Sequence, residues 1–337
     1  MANKDWNNSN EILLPICQNR CSVITYDCKW LQPNSSKIVT VGKKQNNKGD
    51  ISVYDLELLD DDSSNSKIPM SRLKLINQAE NASPVRSSTV LNQNTIACGD
   101  FSGSISIWDI NRFDIPITSH KNAHQINLNC MDFNRENSVL VCGAKDGSIS
   151  FWDTRTTLLS KPIHFVSPVE GVKDNCWSVV TRGYFGLAGF ENGQLHQMDL
   201  RNYNIIQKKT VEYGICSMDI DESNETLLVT TNGSIVKLMS VNELTDELVL
   251  NKGLNNTIWS GRFLSSSKPS KQFSIAEGNG KLSLIDYNPQ SKTSKVIDSI
   301  QLVDSAIISM DVNKSVQGLI STISLTKQLC ITITPYK

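Results

Sequence analysis

Apolar and polar residues alternate along most of the chain in short runs, and this period of two predicts β-strands. The clearest runs are residues 104–109 and 148–153, which read SISIWD and SISFWD. In the first run Ile105 and Ile107 share one face of the strand while Trp108 takes the other, so both faces are apolar. Two apolar faces are typical of a sheet that packs between two neighbouring sheets.

One phrase recurs along the chain: a glycine turn, an alternating strand, and then an aromatic or aliphatic residue followed by Asp. The closing positions lie 41 to 54 residues apart, near the roughly 40–45 residues of one four-stranded propeller blade. They are Asp55, Asp109, Asp153, Asp199, Ser240 and Asp286. The turn glycines, for which a positive φ is expected, are Gly103, Gly147, Gly193, Gly233 and Gly280.

Another apolar strand precedes each phrase, and seven such strands occur. They lie within residues 28–31, 83–90, 130–133, 176–180, 215–220, 257–263 and 307–312. Seven inner strands predict a single all-β domain over residues 1–337, a seven-bladed β-propeller of the WD-repeat kind.

The predicted seventh blade has only three strands of its own. We therefore expect a strand at residues 12–17 to pair with residues 328–334 and close the ring, because this pairing covers an open sheet edge. Residues 58–72 are predicted to be a surface insert between blades one and two. The polar stretch from Asp60 to Ser66 within it is expected to be a solvated loop, with a phosphorylation switch as the alternative.

Composition narrows the class of protein. Lysine plus arginine (33) balances aspartate plus glutamate (34), with a formal net charge of −1. This balance argues against binding to nucleic acid or to a membrane surface. The first residues lack the pattern of a secretory signal, and no apolar run reaches the roughly 20 residues that span a bilayer.

The nine cysteines lie mostly among apolar residues, where a free thiol behaves as a small apolar side chain. Cys17 and Cys21 are the only close pair, and no second pair stands at zinc-ligand spacing. We therefore expect free thiols, no metal site and a reducing compartment. The cytoplasm is the predicted location, with the nucleus as the alternative.

His124, Asp146 and Trp152 belong to the third blade. In WD repeats such a histidine, aspartate and tryptophan form a hydrogen-bonded structural network, and we expect that role for them. The other blades lack the histidine, so their strands are expected to be held mainly by packing. A catalytic interpretation of His124 and Asp146 would need a nucleophile, and the sequence places none beside them.

No catalytic residue and no cofactor is predicted, because phosphate-loop and HExxH motifs are both missing from the sequence. Trp177 and Trp259 instead stand at matching positions near the start of two inner strands, on one rim of the ring. Large aromatic residues carry much of the energy of many interfaces, so we expect a protein-binding rim there, with burial between blades as the alternative. The equivalent rim positions are Lys29, Arg86, Asn129, Ser217 (or Cys216) and Ser309.

Arg155 and Arg201 follow Asp153 and Asp199 at a spacing of two residues, in the phrases WDTR and MDLR. WD repeats with this Asp-x-Arg pattern resemble substrate receptors of cullin-RING ubiquitin ligases, in which the arginine contacts the ligase adaptor. The alternative is a pair of surface ion pairs, each worth only about 0–1 kcal/mol.

Several segments beyond the repeats resemble one family over nearly the whole chain. They are YDCKW (26–30), GDFSGSISIWDI (99–110), VEGVKDNCWSVV (169–180), GFENGQLHQMDLRN (189–202), YGICSMDID (213–221) and NNTIWSGRF (255–263). Together they resemble the monad-type WD-repeat proteins, the dynein axonemal assembly factor ten family. Blade five departs from the pattern with LMSV (238–241), blade seven has no Trp-Asp pair, and the DDDSSNSK segment (60–67) is extra.

The resemblance implies a cytoplasmic adaptor that cooperates with prefoldin-like and heat-shock co-chaperone machinery in preassembly of axonemal dynein arms. Its partners would be co-chaperone complex subunits, with dynein chains as clients. We expect a monomer within a larger complex.

Overall fold

The structure is a computed structural model. It describes residues 13–31, 36–59, 70–155, 161–167, 174–223, 225–253, 256–264 and 270–334. Within these ranges the secondary structure is all β, and the strands form seven antiparallel four-stranded sheets. The predicted seven-bladed propeller is therefore confirmed. No helix in these ranges is long and apolar enough to cross a membrane.

The blades follow one another along the chain, and each runs from an inner to an outer strand. The first three blades are β2–β5 (Ile24–Trp30, Lys37–Lys43, Gly49–Leu59, Met70–Asn81), β6–β9 (Val85–Asn92, Thr95–Asp100, Ile105–Asp109, Thr118–His120) and β10–β13 (Leu128–Asn134, Val139–Ala144, Ile149–Asp153, His164–Val166). The next three are β14–β17 (Cys176–Arg182, Phe185–Phe190, Gln194–Asp199, Asn204–Thr210), β18–β21 (Ile215–Ile220, Thr226–Thr231, Ile235–Ser240, Asp246–Asn251) and β22–β25 (Ile258–Leu264, Lys271–Glu277, Lys281–Asn288, Thr293–Gln301). Blade seven has β26–β28 (Ile307–Val312, Leu319–Ser324, Gln328–Ile333) and an outer strand, β1 (Leu14–Arg20).

The ring is closed by β1, which pairs antiparallel with β28 from Leu14 opposite Ile333 to Arg20 opposite Gln328. The predicted pairing is confirmed, but the strand occupies Leu14–Arg20 rather than residues 12–17, and residue 12 lies outside the described part of the chain. Leu13, just before the strand, is fully buried, and its backbone N–H donates to Asp298 Oδ2 at 2.7 Å. An apolar anchor thus fixes the start of the closing strand.

The predicted insert at 58–72 is shorter than expected. Strands β4 and β5 continue their pairing outward, with Leu58 opposite Ser71 and Leu59 opposite Met70. The alternation of residues 53–59, which read VYDLELL, continues the strand instead of starting a loop. The stretch from Asp60 to Ser66 lies outside the described residues.

The apolar core lies between blades. One cluster combines Val39 and Ile51 of blade one with Ile96 and Trp108 of blade two. Trp108 and Trp152 are both buried, as the alternation predicted. Each sheet buries its two faces against two neighbours, so the burial that stabilises one blade depends on the presence of the next.

Side chains of the inner strands also bond to the backbone of the next inner strand. Asp219 Oδ2 accepts the N–H of Phe263 at 2.8 Å, and Asp311 Oδ2 accepts that of Trp30 at 2.8 Å across the junction of the last and first blades. Because ionised acceptors form stronger hydrogen bonds, these contacts fix neighbouring blades more firmly than packing alone. Aspartate side chains also join Asp27 to Ser88 and Asp132 to Thr181 in this way, and between blades four and five the neutral hydroxyl of Ser178 accepts the N–H of Met218.

The glycine turns are as predicted in four blades, where φ lies between 78° and 85°. Blade five differs, because the positive φ falls on Ser234 (66°) instead of Gly233. Gly233 has another reason to be glycine, since a Cβ at this position would overlap the ring of Tyr213. The four turns that fit the prediction are those at Gly103, Gly147, Gly193 and Gly280.

The network of blade three contains His124, Asp146 and Trp152, and two serines join them. Ser148 Oγ donates to Asp146 Oδ1 (2.6 Å) and lies 2.7 Å from His124 Nδ1. Ser150 Oγ accepts the indole N–H of Trp152 (2.8 Å) and lies 2.6 Å from His124 Nε2. The Ser148 hydroxyl proton goes to Asp146, so Nδ1 of His124 donates to Ser148, and Nε2 accepts from Ser150. The imidazole of His124 is therefore neutral.

Blades one and six lack such a histidine, but each has a buried polar network of its own in addition to its packing. Asp50, 1% exposed, accepts from Ser52 (2.7 Å) and from Gln78 (2.7 Å) in blade one. Glu277, 3% exposed, accepts from Ser283 (2.8 Å) and Asn256 (2.6 Å) in blade six. In these blades a buried carboxylate, in place of the histidine, accepts hydrogen bonds from the hydroxyl and amide groups, so the buried polar atoms have partners.

Folding stability should fall below neutral pH because of His124. Burial lowers the pKa of His124 from 6.5 to about 4, so between these values the unfolded chain binds more protons than the folded one. By linkage, the free energy of unfolding then decreases as the pH falls, by roughly 2 kcal/mol at pH 5 from this group. We expect His124→Gln to have a smaller loss between pH 7.5 and pH 5 in denaturant unfolding. His196, whose pKa burial also lowers to about 4, is present in both proteins and cancels; equal losses would contradict the assignment.

Removal of the closing strand should destabilise the whole ring. A truncated chain that starts at Cys21 lacks β1 and Leu13, so β28 becomes an open edge and the apolar cluster around Leu13 loses a member. We expect a melting temperature at least about 10 °C lower, since a loss of several kcal/mol shifts the melting of a domain of this size by that amount. The matched control is a chain that starts at Leu13 and keeps the strand. Equal melting of both truncations in circular dichroism would refute the role of β1.

Candidate protein-binding site at the channel mouth

Every inner strand has a β-bulge at the same place near its start. In β14, for example, Cys176 pairs with Phe190 and Ser178 with Gly189, so Trp177 between them is left without a partner. A bulge inserts one extra residue and re-aims a side chain. The bulged residues are Tyr26, Arg86, Asn129, Trp177, Cys216, Trp259 and Ile308.

All seven bulged residues line a cavity of about 640 Å³ along the axis of the ring. The cavity is lined by residues of all seven inner strands, and Arg135, Arg182 and Lys314 contribute to its lining after or at the far ends of these strands. We call the seven bulged residues the channel mouth. Asn129 is buried and the other six are partly exposed.

Four of the predicted rim residues belong to the channel mouth: Arg86, Asn129, Trp177 and Trp259. Trp177 and Trp259 are partly exposed, and the seven apolar clusters of the described core do not contain them.

The other three predicted rim residues line the channel below its mouth. Ser217 and Ser309 follow the bulge by one residue and are buried, at 6% and 7% exposure. Lys29 follows its bulge by three residues, and its Nζ donates to Asp27 Oδ1 at 2.7 Å. The bulge shifts the register, and the mouth positions of these blades belong to Tyr26, Cys216 and Ile308. In blades five and seven the repeats contain the signal, since the residue after the apolar start of the strand is Cys216, the stated alternative to Ser217, or Ile308. In blade one Thr25 precedes the bulged Tyr26, so the same alignment misses it.

Arg86 is the only charged residue of the mouth, and aromatic rings lie on two sides of it. Its Cζ atom lies 5.5 Å from the ring centroid of Tyr26 and 5.7 Å from that of Trp177, both within cation–π range. The Tyr26 ring stacks in turn on Phe101, at 5.5 Å between centroids. Burial lowers the pKa of the Arg86 guanidinium. The mouth therefore combines large aromatic surfaces with one partly desolvated cation.

Below the mouth, the acids of the channel hold the ring together. Burial opposes the ionisation of Asp27, but Lys29 and the hydroxyl of Ser309 stabilise its charge and hold its pKa below the usual range. Burial raises the pKa of Asp311, which accepts the backbone N–H of Trp30. These carboxylates serve contacts between blades. In the described residues, no group of three or more His, Cys, Asp or Glu side chains could hold a metal ion.

Arg155 and Arg201 each bind the aspartate two residues earlier. Arg155 donates through Nε to Asp153 Oδ1 (2.9 Å) and through Nη2 to Oδ2 (2.7 Å), and Arg201 binds Asp199 with the same geometry. The Arg201 side chain lowers the pKa of Asp199 to about 2. Both arginine side chains remain largely exposed, at 70% and 66%.

Seven four-stranded sheets around an axial channel, with recurrent Trp-Asp strand ends, define a WD-repeat β-propeller. The family model described as WD domain, G-beta repeat, matches residues 116–153. This match begins with the outer strand of blade two and ends with the third strand of blade three, so the sequence repeat and the structural blade are offset by one strand.

Comparison with curated proteins identifies the particular family. The chain is 35% identical to dynein axonemal assembly factor 10 of Dictyostelium discoideum, over 97% of both chains. It is 28% identical to the protein of the same name from Homo sapiens, over 90% of this chain and 84% of the relative. The relative from Chlamydomonas reinhardtii is 25% identical, over 83% and 81%. The chain belongs to the dynein axonemal assembly factor 10 family.

Proposed function

We propose that the chain is a non-enzymatic adaptor that holds proteins together during the cytoplasmic preassembly of axonemal dynein, linked to co-chaperone machinery. The observation that carries this proposal is the similarity to proteins named dynein axonemal assembly factor 10, which extends over the whole propeller. A rigid ring of seven blades offers a fixed surface for partners. The adaptor acts as a monomer within a larger complex, with co-chaperone subunits as partners and dynein chains as clients.

The channel mouth is the proposed contact surface. Trp177 and Trp259 are partly exposed on a rigid strand, so little conformational entropy is lost when a partner covers them. Tryptophan, tyrosine and arginine dominate the energetic centres of protein interfaces, and Tyr26 and Arg86 complete this set at the mouth. The mixture of aromatic and polar groups fits a protein segment better than a phosphate group.

Loss of the two mouth tryptophans should abolish partner capture. We expect the tagged full chain to recover dynein chains and co-chaperone subunits from ciliated cells, and Trp177→Ala with Trp259→Ala to reduce recovery at least about tenfold, since each such contact is worth about 2 kcal/mol or more. Tyr184→Ala is the matched control, because Tyr184 is 55% exposed and does not line the channel. Recovery of neither protein class by a folded wild-type chain would contradict the adaptor function.

The ligase-receptor hypothesis has its own observation, the exposed pair Arg155 and Arg201 at matching strand ends of neighbouring blades. We expect Arg155→Ala with Arg201→Ala to abolish binding to a cullin adaptor, measured with purified proteins, if the chain is a ligase substrate receptor. The melting temperature should fall only slightly, because both arginine side chains are largely exposed and ion pairs at a surface are worth about 0–1 kcal/mol. Unaltered adaptor binding by the double variant, or no binding by the wild type, would eliminate this function.

A further inference from the structure

Arg86 lacks a carboxylate partner among the residues that the structure describes. Its one hydrogen bond there runs from Nη1 to the backbone oxygen of Tyr26, at a long 3.5 Å. Arg262, another cation of the same channel, has shorter hydrogen bonds, since its Nη1 donates to Ser217 Oγ at 2.9 Å and to Gly261 O at 2.8 Å. The two aromatic contacts of Arg86 supply no acceptor oxygen. Most of its five N–H donors are therefore open to a ligand.

Asn129 occupies the equivalent position in the next blade, and the N–H donors of its side-chain amide also lack an acceptor there. Its side chain is buried, at 8% exposure, and its Nδ2 has no acceptor within the described part of the chain. A buried amide without a partner costs free energy, so water or a ligand is expected to accept its hydrogen bonds. The inner strands of blades two and three are neighbours, and each contributes one donor group to the mouth, a guanidinium and an amide.

The opposite side of the mouth has a different character. Blades five, six and seven contribute Cys216, Trp259 and Ile308, which have apolar side chains that line the same cavity. The mouth is therefore divided into a donor half and an apolar half. A ligand that fits both halves has a negatively charged group that accepts hydrogen bonds, and an apolar side chain close to it.

We propose that the channel mouth binds an acidic side chain of a partner protein, with its carboxylate on Arg86 and Asn129 and a neighbouring apolar side chain on Trp259 and Ile308. This inference rests on the proposed adaptor function and specifies what the adaptor recognises. A carboxylate matches the fork of a guanidinium with two parallel hydrogen bonds. Contact with the rings of Tyr26 and Trp177 limits access of water and so strengthens the ion pair.

The charge around the mouth favours a carboxylate over a phosphate. Glu191 lines the same cavity and is hydrogen bonded to Asn175, and Asp27 lies close enough to act on the charge of Arg86. Arg86 is the one cation of the channel mouth, since Lys29, Arg262 and the other cations of the cavity lie below it, and with these acids nearby the mouth suits a ligand with a single negative charge. A phosphate dianion would meet more repulsion than one cation offsets.

A library of random internal peptides, displayed on a coat protein, tests the proposal with the full chain as bait. We expect enriched sequences to contain Glu or Asp close to an aromatic or aliphatic residue. The best sequence, made as an acetylated and amidated peptide, should bind at least about tenfold more weakly after Glu→Gln, because a hydrogen bond to a charged group is worth about 1.5–3 kcal/mol. Arg86→Gln should cause a similar loss for the acidic peptide and little for its Gln counterpart.

Two further variants serve as a control and as an independent test of the carboxylate site. Arg182→Gln removes a cation that lines the same cavity at the far end of inner strand β14 and should leave the affinity unchanged. Asn129→Asp preserves the shape of the side chain but places a carboxylate beside Arg86, so it should weaken binding of the acidic peptide about tenfold or more. If Arg86→Gln lowers the melting temperature, so that its loss of binding could come from unfolding, Asn129→Asp is the variant that tests the carboxylate site.

Enrichment without acidic residues, or unchanged affinity in Arg86→Gln, overturns the carboxylate site. Displacement of the peptide by millimolar inorganic phosphate would assign the donors to phosphate and overturn it as well. If the mouth tryptophan variants lose partner capture while Arg86→Gln does not, the adaptor function stands and the carboxylate site falls. If Arg86→Gln weakens the acidic peptide but tryptophan variants retain all partners, the site stands and the proposed use of the mouth falls.

Discussion

The pairing of β1 with β28 is the contact on which the rest of the structure depends. Every blade buries its faces against two neighbours, so a gap at one junction removes burial from both sides of it. The offset between repeat and blade explains why both ends of the chain meet in blade seven. Each repeat gives its first strand to the preceding blade, so the last blade lacks a strand unless β1 supplies it. Asp311 adds a bond to Trp30 across the junction between blades seven and one.

The fold was predictable from local patterns. Alternation, glycine turns and the spacing of the repeats are visible residue by residue, and they gave the seven inner strands and the closing pair. The site was only half predictable, because a β-bulge changes which side chain faces the channel without disturbing the apolar pattern. Ser217 and Ser309 therefore lie one residue after the bulge and Lys29 lies three residues after it, while Cys216, the alternative to Ser217, is the bulged residue itself.

The support inside the blades was underestimated for a chemical reason. A search for a histidine at this position of the repeat finds only His124, whereas the requirement is a buried polar group that accepts hydrogen bonds from serine hydroxyls or side-chain amides. Asp50 and Glu277 meet it with carboxylates. Different residues solve the same problem of satisfying polar atoms next to a buried strand, and a motif search that fixes the residue type misses them.

The bulges give the seven blades one common backbone geometry, but the seven mouth positions hold six different residue types, with tryptophan twice. A ring of identical residues would accept a ligand in any of seven rotations about its axis. Here Arg86 and Ile308 lie on different sides of the axis, so six of those rotations place unlike groups together. The mouth therefore accepts a ligand in one rotation about the axis, and this fixes the orientation of the bound partner relative to the other surfaces of the ring.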